Sequence, residues 1–412
     1  MNQLVKNEKI KYAGIATRIK HTTMTCKTFE VKIDKSSNTK TQNQFLKKVF
    51  REAKWLYNYI LGSENIFTIP TNTKEVVVLN KDREPEVRQL STLSAQMIQG
   101  LITRTQINIV SLSRLKELGS KVGRLKYKSQ VNSIPLKQYN STYSVKRSKV
   151  KLQGCKKPFK VSGLEQLPIG ADLTAAVLVY KSGDYYIKIT CYVDKVIRPV
   201  TGRSVGLDFG IKDNVTTSDG EKYNFILPES KQLKKVQRRL YKSVKGSKNR
   251  YKRRLKLQRE YYKLGCKKKD TCNQFINYLT TTYDNICIQD ENIAAWKGSQ
   301  MRGWGKRIQH SVMGGIISVL KLRPETCIVD RFVPTTQLCP NCGTLNKHSL
   351  EQRTYKCACG YTCDRDIHAA RNILSLGLNI PTEHRNIHAC GEVTSTSVPE
   401  AGTSYLVETG SP

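Results

Sequence analysis

The chain is short of acid. Only 33 of its 412 residues are Asp or Glu, against 70 Lys or Arg, and the formal net charge is +37. A free protein with that imbalance repels itself, so the excess calls for a polyanion. Nucleic-acid phosphate is the usual one, because each Lys or Arg placed on a phosphate releases condensed counterions. Long apolar runs are also missing. The longest candidate, Ala175–Tyr180, has the length of a strand and not of a bilayer span, so no membrane partner is expected. The first residues, Met1-Asn2-Gln3-Leu4-Val5-Lys6, contain no apolar signal core, and an intracellular protein is expected. An even cysteine count is missing too. There are 13, of which four stand in close pairs while the rest are scattered. In a reducing compartment that pattern favours one metal site plus free buried thiols over disulfides.

Hydrophobic periodicity divides the chain. Residues 22–34 alternate at Phe29, Val31 and Ile33 and read as a strand. Residues 42–62 change to a helical period through Phe45, Val49, Ala53, Leu56 and Ile60, with Gly62 as a stop. A second helix is expected over 94–118, burying Met97, Ile98, Leu101, Ile102, Ile107, Val110 and Leu115. Strand character returns over 145–152, 158–161, 175–180 and 185–193, and Lys181-Ser182-Gly183-Asp184 reads as a hairpin turn. The first two hundred residues therefore read as a β-barrel or sandwich interrupted by a helical insertion. After a linker at 199–203, three short apolar strands follow: 204–210, 283–293 and 326–330. Between the first two lies a helical stretch over 231–264 with many cations and few acids. Such a run is either a solvated helical hairpin or a nucleic-acid channel, with Val236, Leu240, Tyr241, Leu255, Tyr261 and Leu264 as its inner seam. Residues 308–322 read as an amphipathic helix. From Pro381 onward no period is sustained, and residues 381–412 are expected to be disordered.

The scarce acids fall at telling places. Asp208 sits inside the strand Val205-Gly206-Leu207-Asp208, where an unpartnered carboxylate is costly. Glu291 ends the second apolar strand, and Asp366 stands at a helix start whose positive end favours it. Two strand ends and a helix N-terminus can converge across a sheet and hold two Mg²⁺ ions through carboxylate oxygen. Asp290 competes with Glu291 for the middle place. Alternation puts Asp290 on the face of Ile286 and Ile288 and Glu291 on the other, and the pattern leaves both open. Asp364 neighbours Asp366. Before them come Cys339-Pro340-Asn341-Cys342-Gly343 and Cys357-Ala358-Cys359-Gly360, two cysteine pairs on glycine turns. They read as a structural Zn²⁺ knuckle with Cys339, Cys342, Cys357 and Cys359 as ligands. The second pair is one residue shorter than usual, and Cys363 is near enough to replace a ligand.

The segments 205–210, 288–293, 339–343 and 364–374 together resemble the split RuvC nuclease domain of the TnpB family. These are transposon-associated RNA-guided DNA endonucleases, similar to the miniature type V CRISPR effectors. The resemblance covers residues 201–380 by motif and implies a multidomain α+β and α/β protein. Its expected parts are a β-barrel in two pieces (1–41 and 141–200) around a helical recognition insertion (42–140), and an RNase H-like nuclease in two pieces (201–334 and 364–380) around a zinc knuckle (335–363). It implies Mg²⁺-dependent cleavage of DNA at guide-matched sites beside a short flanking motif, with Asp208, Glu291 and Asp366 as catalytic ligands. The implied partners are a guide RNA and double-stranded target DNA, bound by a monomer or by a homodimer on one guide, in a prokaryotic cytoplasm. His368, where relatives often have Asn, is left between a phosphate contact and a structural role. A nuclease-inactive RNA-guided repressor and a transposition accessory protein are the alternatives. A transposase joining strands itself finds no His-hydrophobe-His plus tyrosine arrangement in the chain.

Overall fold

The computed structural model describes residues 19–80, 82, 84–196, 198–297, 304–349 and 351–379. The expected disordered tail, 381–412, lies outside the described residues. The chain divides into two compact units, Met1–Ile197 and Arg198–Pro412. None of the described helices is long and apolar enough to cross a membrane.

The first unit runs β1 (Met24–Ile33), α1 (Lys40–Gly62), β2 (Glu75–Leu79), β3 (Pro85–Gln89), α2 (Ala95–Glu117), β4 (Ser133–Leu136), β5 (Tyr143–Lys146), β6 (Lys149–Leu152), β7 (Phe159–Ser162), β8 (Asp172–Lys181) and β9 (Asp184–Asp194). Seven strands form one antiparallel sheet in the order β4-β8-β9-β1-β7-β6-β5. Its ends approach each other: Tyr139, just beyond β4, bridges to Tyr143 of β5, and the Tyr143 hydroxyl donates to Thr174 O at 3.0 Å. The sheet is thus nearly a closed barrel. The β8–β9 turn places Ser182 and Gly183 at φ 54° and 84°, the two-residue geometry that matches strand twist. Thr39 and Gln42 cap α1 reciprocally, and the helix buries Leu46, Val49, Ala53, Leu56 and Ile60.

Three expectations for this unit need correction. Ile107, Val110 and Leu115 are about half exposed, because only the first half of α2 has the sheet and α1 beside it. A helical period selects a face but does not say whether anything covers it. Residues 145–152 are not one strand but the β5–β6 hairpin, turned at Arg147 with φ 50°. The helical insertion expected over 42–140 also holds, outside its two helices, the β2–β3 hairpin and β4, whose few apolar residues give too short a pattern to recognise.

The second unit runs β10 (Ser204–Asp208), β11 (Val215–Thr217), β12 (Lys222–Tyr223), α3 (Lys231–Tyr241), α4 (Lys248–Thr282), β13 (Asn285–Gln289), α5 (Met313–Leu320), β14 (Thr326–Val329), β15 (Thr354–Lys356), β16 (Thr362–Asp364) and α6 (Arg365–Leu378), with two short helices between β13 and α5. The main sheet has the order β12-β11-β10-β13-β14. Its β10, β13 and β14 are parallel, and the β11 and β12 edge is antiparallel. Alternation sorts its faces. Val205, Leu207, Ile286 and Ile288 meet Phe275 and Leu279 of α4 and Met313, Ile316 and Ile317 of α5. Cys287, Cys327 and Val329 face the other way, against Ile373 of α6. The expected helix over 308–322 is broken at Ser311 and Val312, and α5 begins after the break. In the basic hairpin of α3 and α4, Val236 is buried, but Tyr241 is 89% exposed and Tyr261 43%. A two-helix hairpin buries one narrow line of contact; Tyr241 lies off it, and Tyr261 meets it only through its hydroxyl, which accepts from Gln237 Nε2 at 2.5 Å.

The seating of α6 depends on two glycines. A Cβ on Gly206 would lie 2.0 Å from Ala370 O and 2.7 Å from Leu374 N, and one on Gly377 would lie 2.6 Å from Cys287 Sγ. At Gly206 the helix therefore rests on strand backbone with no side chain between, and at Gly377 its backbone lies against the Cys287 side chain. Gly206→Ala is expected to destabilise the second unit by about 2–4 kcal/mol through overpacking against backbone that has no rotamer to yield. Urea unfolding monitored by circular dichroism checks this; an unchanged midpoint would show that α6 is not held so closely.

Candidate active site and metal centre

Asp208 lies two residues beyond Gly206 on the same face of β10, toward α6. Asp366 lies one helical turn before Ala370, the residue above Gly206. The two carboxylates thus come to the same end of the sheet. Glu291 reaches that end from β13, where its N–H donates to Gln289 O at 2.9 Å. The charges act on one another. Burial, then the carboxylates of Asp366 and Glu291, push Asp208 well above the usual carboxylate range, while Arg365 pulls it back. Asp208 keeps some exposed surface, yet protein encloses it closely enough for burial to be the largest cause. Burial, then Asp290, raises Glu291.

The neighbouring acids are engaged otherwise. Asp364 is the N-cap of α6. Its Oδ1 accepts from the N–H groups of Asp366 and Ile367 at 3.0 and 3.2 Å, and its Oδ2 holds Lys222 Nζ at 2.8 Å. Asp290 is ion-paired to Lys321, at the end of α5, and to Arg331, after β14, which hold it below its ordinary range with Lys321 the larger cause. Lys321 and Arg331 were not legible as partners in the sequence, since two cations in so basic a chain carry no signal.

The four cysteines form a compact cluster. Sγ atoms of Cys339 and Cys359 are 3.6 Å apart, those of Cys342 and Cys357 3.5 Å, and all four lie within 4.8 Å of one another. Tetrahedral Zn²⁺ with Zn–S of about 2.3 Å separates its sulfurs by about 3.8 Å, so the cluster could hold one such ion. Glycine makes both turns possible: Gly343 and Gly360 have φ 71° and 90° and donate to the carbonyls of Cys339 and Cys357. The short Cys357-Ala358-Cys359 spacing works because Cys357 N–H also donates to Tyr361 O, closing a tight turn between β15 and β16. Cys363 lies outside the cluster, with Arg371 Nη1 3.8 Å from its sulfur. Among the described residues these sulfurs are the only such tight group of three or more Cys, His, Asp or Glu ligand atoms; the three carboxylates interact without closing into one.

His368 is fully buried and stacks on Tyr355 at 3.8 Å, and burial pulls its imidazole down to about 4. It packs between Tyr355 and Tyr361 with no exposed surface. On the other side of the sheet, α3 and α4 expose Lys234, Lys235, Arg238, Arg239, Arg253, Arg254 and Lys256.

Metal analysis of freshly purified protein is expected to give about one zinc per chain. Cys359→Ser should lose it and Cys363→Ser should retain it; the reverse result would move the ligand set to Cys363.

Two family models match the chain: "Probable transposase" over residues 189–300 and "Cas12f1-like, TNB domain" over 324–373. The chain is 29% identical over 265 residues to "Putative RNA-guided DNA endonuclease" of Streptomyces pristinaespiralis, covering 61% of this chain and 65% of that protein. It is 27% identical over 204 residues to TnpB-like protein L79 of Acanthamoeba polyphaga mimivirus, covering 42% and 37%. It spans less than two thirds of the length of either. A solved Cas12f1–sgRNA–target DNA complex aligns over 81% of this chain and 83% of its own at a TM-score of 0.45 and 15% identity. By sequence the chain is thus similar, over part of its length, to a putative RNA-guided DNA endonuclease and to a TnpB-like protein.

Proposed function

We propose that the protein is an RNA-guided DNA endonuclease whose RuvC-like, RNase H-like second unit cuts target DNA by Mg²⁺-dependent phosphodiester hydrolysis at Asp208, Glu291 and Asp366. One observation carries the reading: a strand-end aspartate is enclosed beside two further carboxylates whose charges oppose its ionisation. Like charges held together at a folding cost mark a site kept for a ligand rather than for stability. Hard carboxylate oxygens fit a divalent cation, and Asp208, Glu291 and Asp366 would hold it. When bound, Mg²⁺ activates the attacking water and offsets charge on the leaving oxygen.

The surrounding residues divide the remaining work. The ion pairs of Asp290 leave Glu291 as the free acid of that loop. Asp364 fixes the first turn of α6 and hence Asp366. The basic α3–α4 hairpin supplies phosphate contacts along a heteroduplex, and the four-cysteine module handles strands as a zinc knuckle. The barrel and helices of the first unit hold the guide and read a short duplex motif, while guide pairing supplies specificity. The name of the Streptomyces pristinaespiralis relative supports the RNA-guided endonuclease reading. The retained acid triplet favours it over a nuclease-inactive repressor.

The test is cleavage of guide-matched double-stranded DNA by the purified ribonucleoprotein in Mg²⁺ and in EDTA. Cutting in Mg²⁺ alone is expected; intact guide-dependent binding without cutting would favour the repressor. Asp208→Ala and Glu291→Gln are each expected to lower the cleavage rate by at least about a thousandfold with DNA binding preserved, equivalent to about 4 kcal/mol of barrier. Asp290→Asn should cost less than Glu291→Gln, and the opposite order would reassign the middle ligand.

Neutralising the enclosed carboxylate should also stabilise the metal-free fold. A raised folded-state pKa means that the folded protein holds this proton to higher pH than the unfolded chain does, so ionised Asp208 opposes folding near neutrality. Asp208→Asn is therefore expected to raise Tm in EDTA at pH 7, and by less at pH 4. A lower Tm at pH 7 would show that Asp208 is instead a satisfied structural acid.

A further inference from the structure

Between the sulfur cluster and the carboxylates runs a chain of buried polar side chains that neither site uses directly. Gln289, the last residue of β13, has its carboxamide NH₂ on Asp330 O at 3.0 Å and Val333 O at 2.9 Å, and its Oε1 accepts from Thr335 Oγ1 at 3.0 Å. Asn372 on α6 donates through Nδ2 to Thr335 O and Leu338 O, each at 2.7 Å, and lies 3.2 Å from His368 Nε2. His368 stacks on Tyr355, whose hydroxyl is 3.1 Å from Asn346 Nδ2, and that same nitrogen is 3.2 Å from Cys357 Sγ. Gln289, Thr335, His368 and Asn372 are 7%, 3%, 0% and 3% exposed. So desolvated a network is stabilising only when its members are satisfied together.

Its ends have a chemical meaning. Gln289 stands two residues before Glu291 and ties the end of β13 to the loop leaving β14, which carries Arg331, a partner of Asp290. Asn372 stands on the helix whose first turn carries Asp366 and is bonded to the backbone just before Cys339. We propose that Gln289, Thr335 and Asn372 are positioning residues: they set the spacing between Glu291 and Asp366, and through His368 and Tyr355 they make that spacing depend on a seated cysteine module. This rests on the reading of Glu291 and Asp366 as ligands of one divalent-cation site.

The experiment is a Mn²⁺ titration of the full-length protein followed by electron paramagnetic resonance, with Asp208→Ala defining the signal from the acid site. Thr335→Val, which removes one hydroxyl at nearly constant volume, is expected to weaken Mn²⁺ binding about tenfold, as losses of a ligand's supporting bonds do. Its zinc content should stay that of the wild type, and Thr335→Ser, which restores the hydroxyl, should restore binding. Combining Thr335→Val with Gln289→Met should weaken binding no further than the stronger single change, because both break the same bond. Cys359→Ser should reproduce the shift. Wild-type Mn²⁺ affinity in folded Thr335→Val, or failure of Thr335→Ser to restore binding, would overturn the proposal. Should Thr335→Val lose its fold, additive losses from Gln289→Met and Cys359→Ser would overturn it, and non-additive losses would support it. No Mn²⁺ bound by the wild type would refute the cation site itself and this inference with it. Tight Mn²⁺ binding without DNA cleavage would refute only the nuclease reading.

Discussion

The second unit depends on one close approach, that of the α6 backbone to the backbone of β10. Gly206 admits it from the strand, and Gly377, against Cys287 of β13, admits its continuation. A side chain at either place would lift the helix off the sheet. With the helix down, its first turn arrives where β10 ends, and a strand aspartate and a helix aspartate distant in sequence become neighbours. The cysteine module enters at the same point: β16 ends at Asp364, the residue that caps α6. The geometry of the acids, the entry of the module and the packing of the sheet therefore share one contact.

That contact carries an electrostatic cost. Asp208, Glu291 and Asp366 are brought together in partly buried surroundings, with Arg365 acting against the rise of Asp208. Nearby acids are quieted by specific partners: Asp364 by Lys222 and two helix N–H groups, Asp290 by Lys321 and Arg331. A chain with more than twice as many bases as acids could have neutralised all five. Arg365 does reach Asp366, at 3.6 Å, but Asp208 stays raised by burial and by the carboxylates of Asp366 and Glu291, and the proposed ligand site rests on that opposition.

How much of this was legible depended on range. Asp208, Glu291 and Asp366 could be singled out because each is an acid at the end of an apolar element, and burial makes such a residue expensive wherever the element packs. The cysteine cluster was legible because short spacings place thiols together through local turns. The choice between Asp290 and Glu291 was not, since adjacent strand residues differ only in which face they present, and the cations that claim Asp290 come from two other elements. The supporting Gln289, Thr335 and Asn372 were invisible for the same reason: an amide or hydroxyl in a sequence says nothing about its partner. Exposure misled in the other direction at Ile107, Val110 and Leu115, where the helical period was right and, among the described residues, no layer covers that half of α2.

The sequence by itself therefore determined the longer strands and helices, the strong positive charge, the close cysteine spacings and the position of three acids at the ends of apolar elements, because these follow from periodicity, composition and neighbours along the chain. Tertiary structure decided that β4 closes toward β5, that the α6 backbone touches β10, that Asp290 is neutralised while Glu291 is left opposed, and that a buried polar chain joins the sulfur cluster to the acids. Each of these is a meeting of groups far apart in the chain. Its free energy depends on distance and desolvation, which only the folded arrangement specifies.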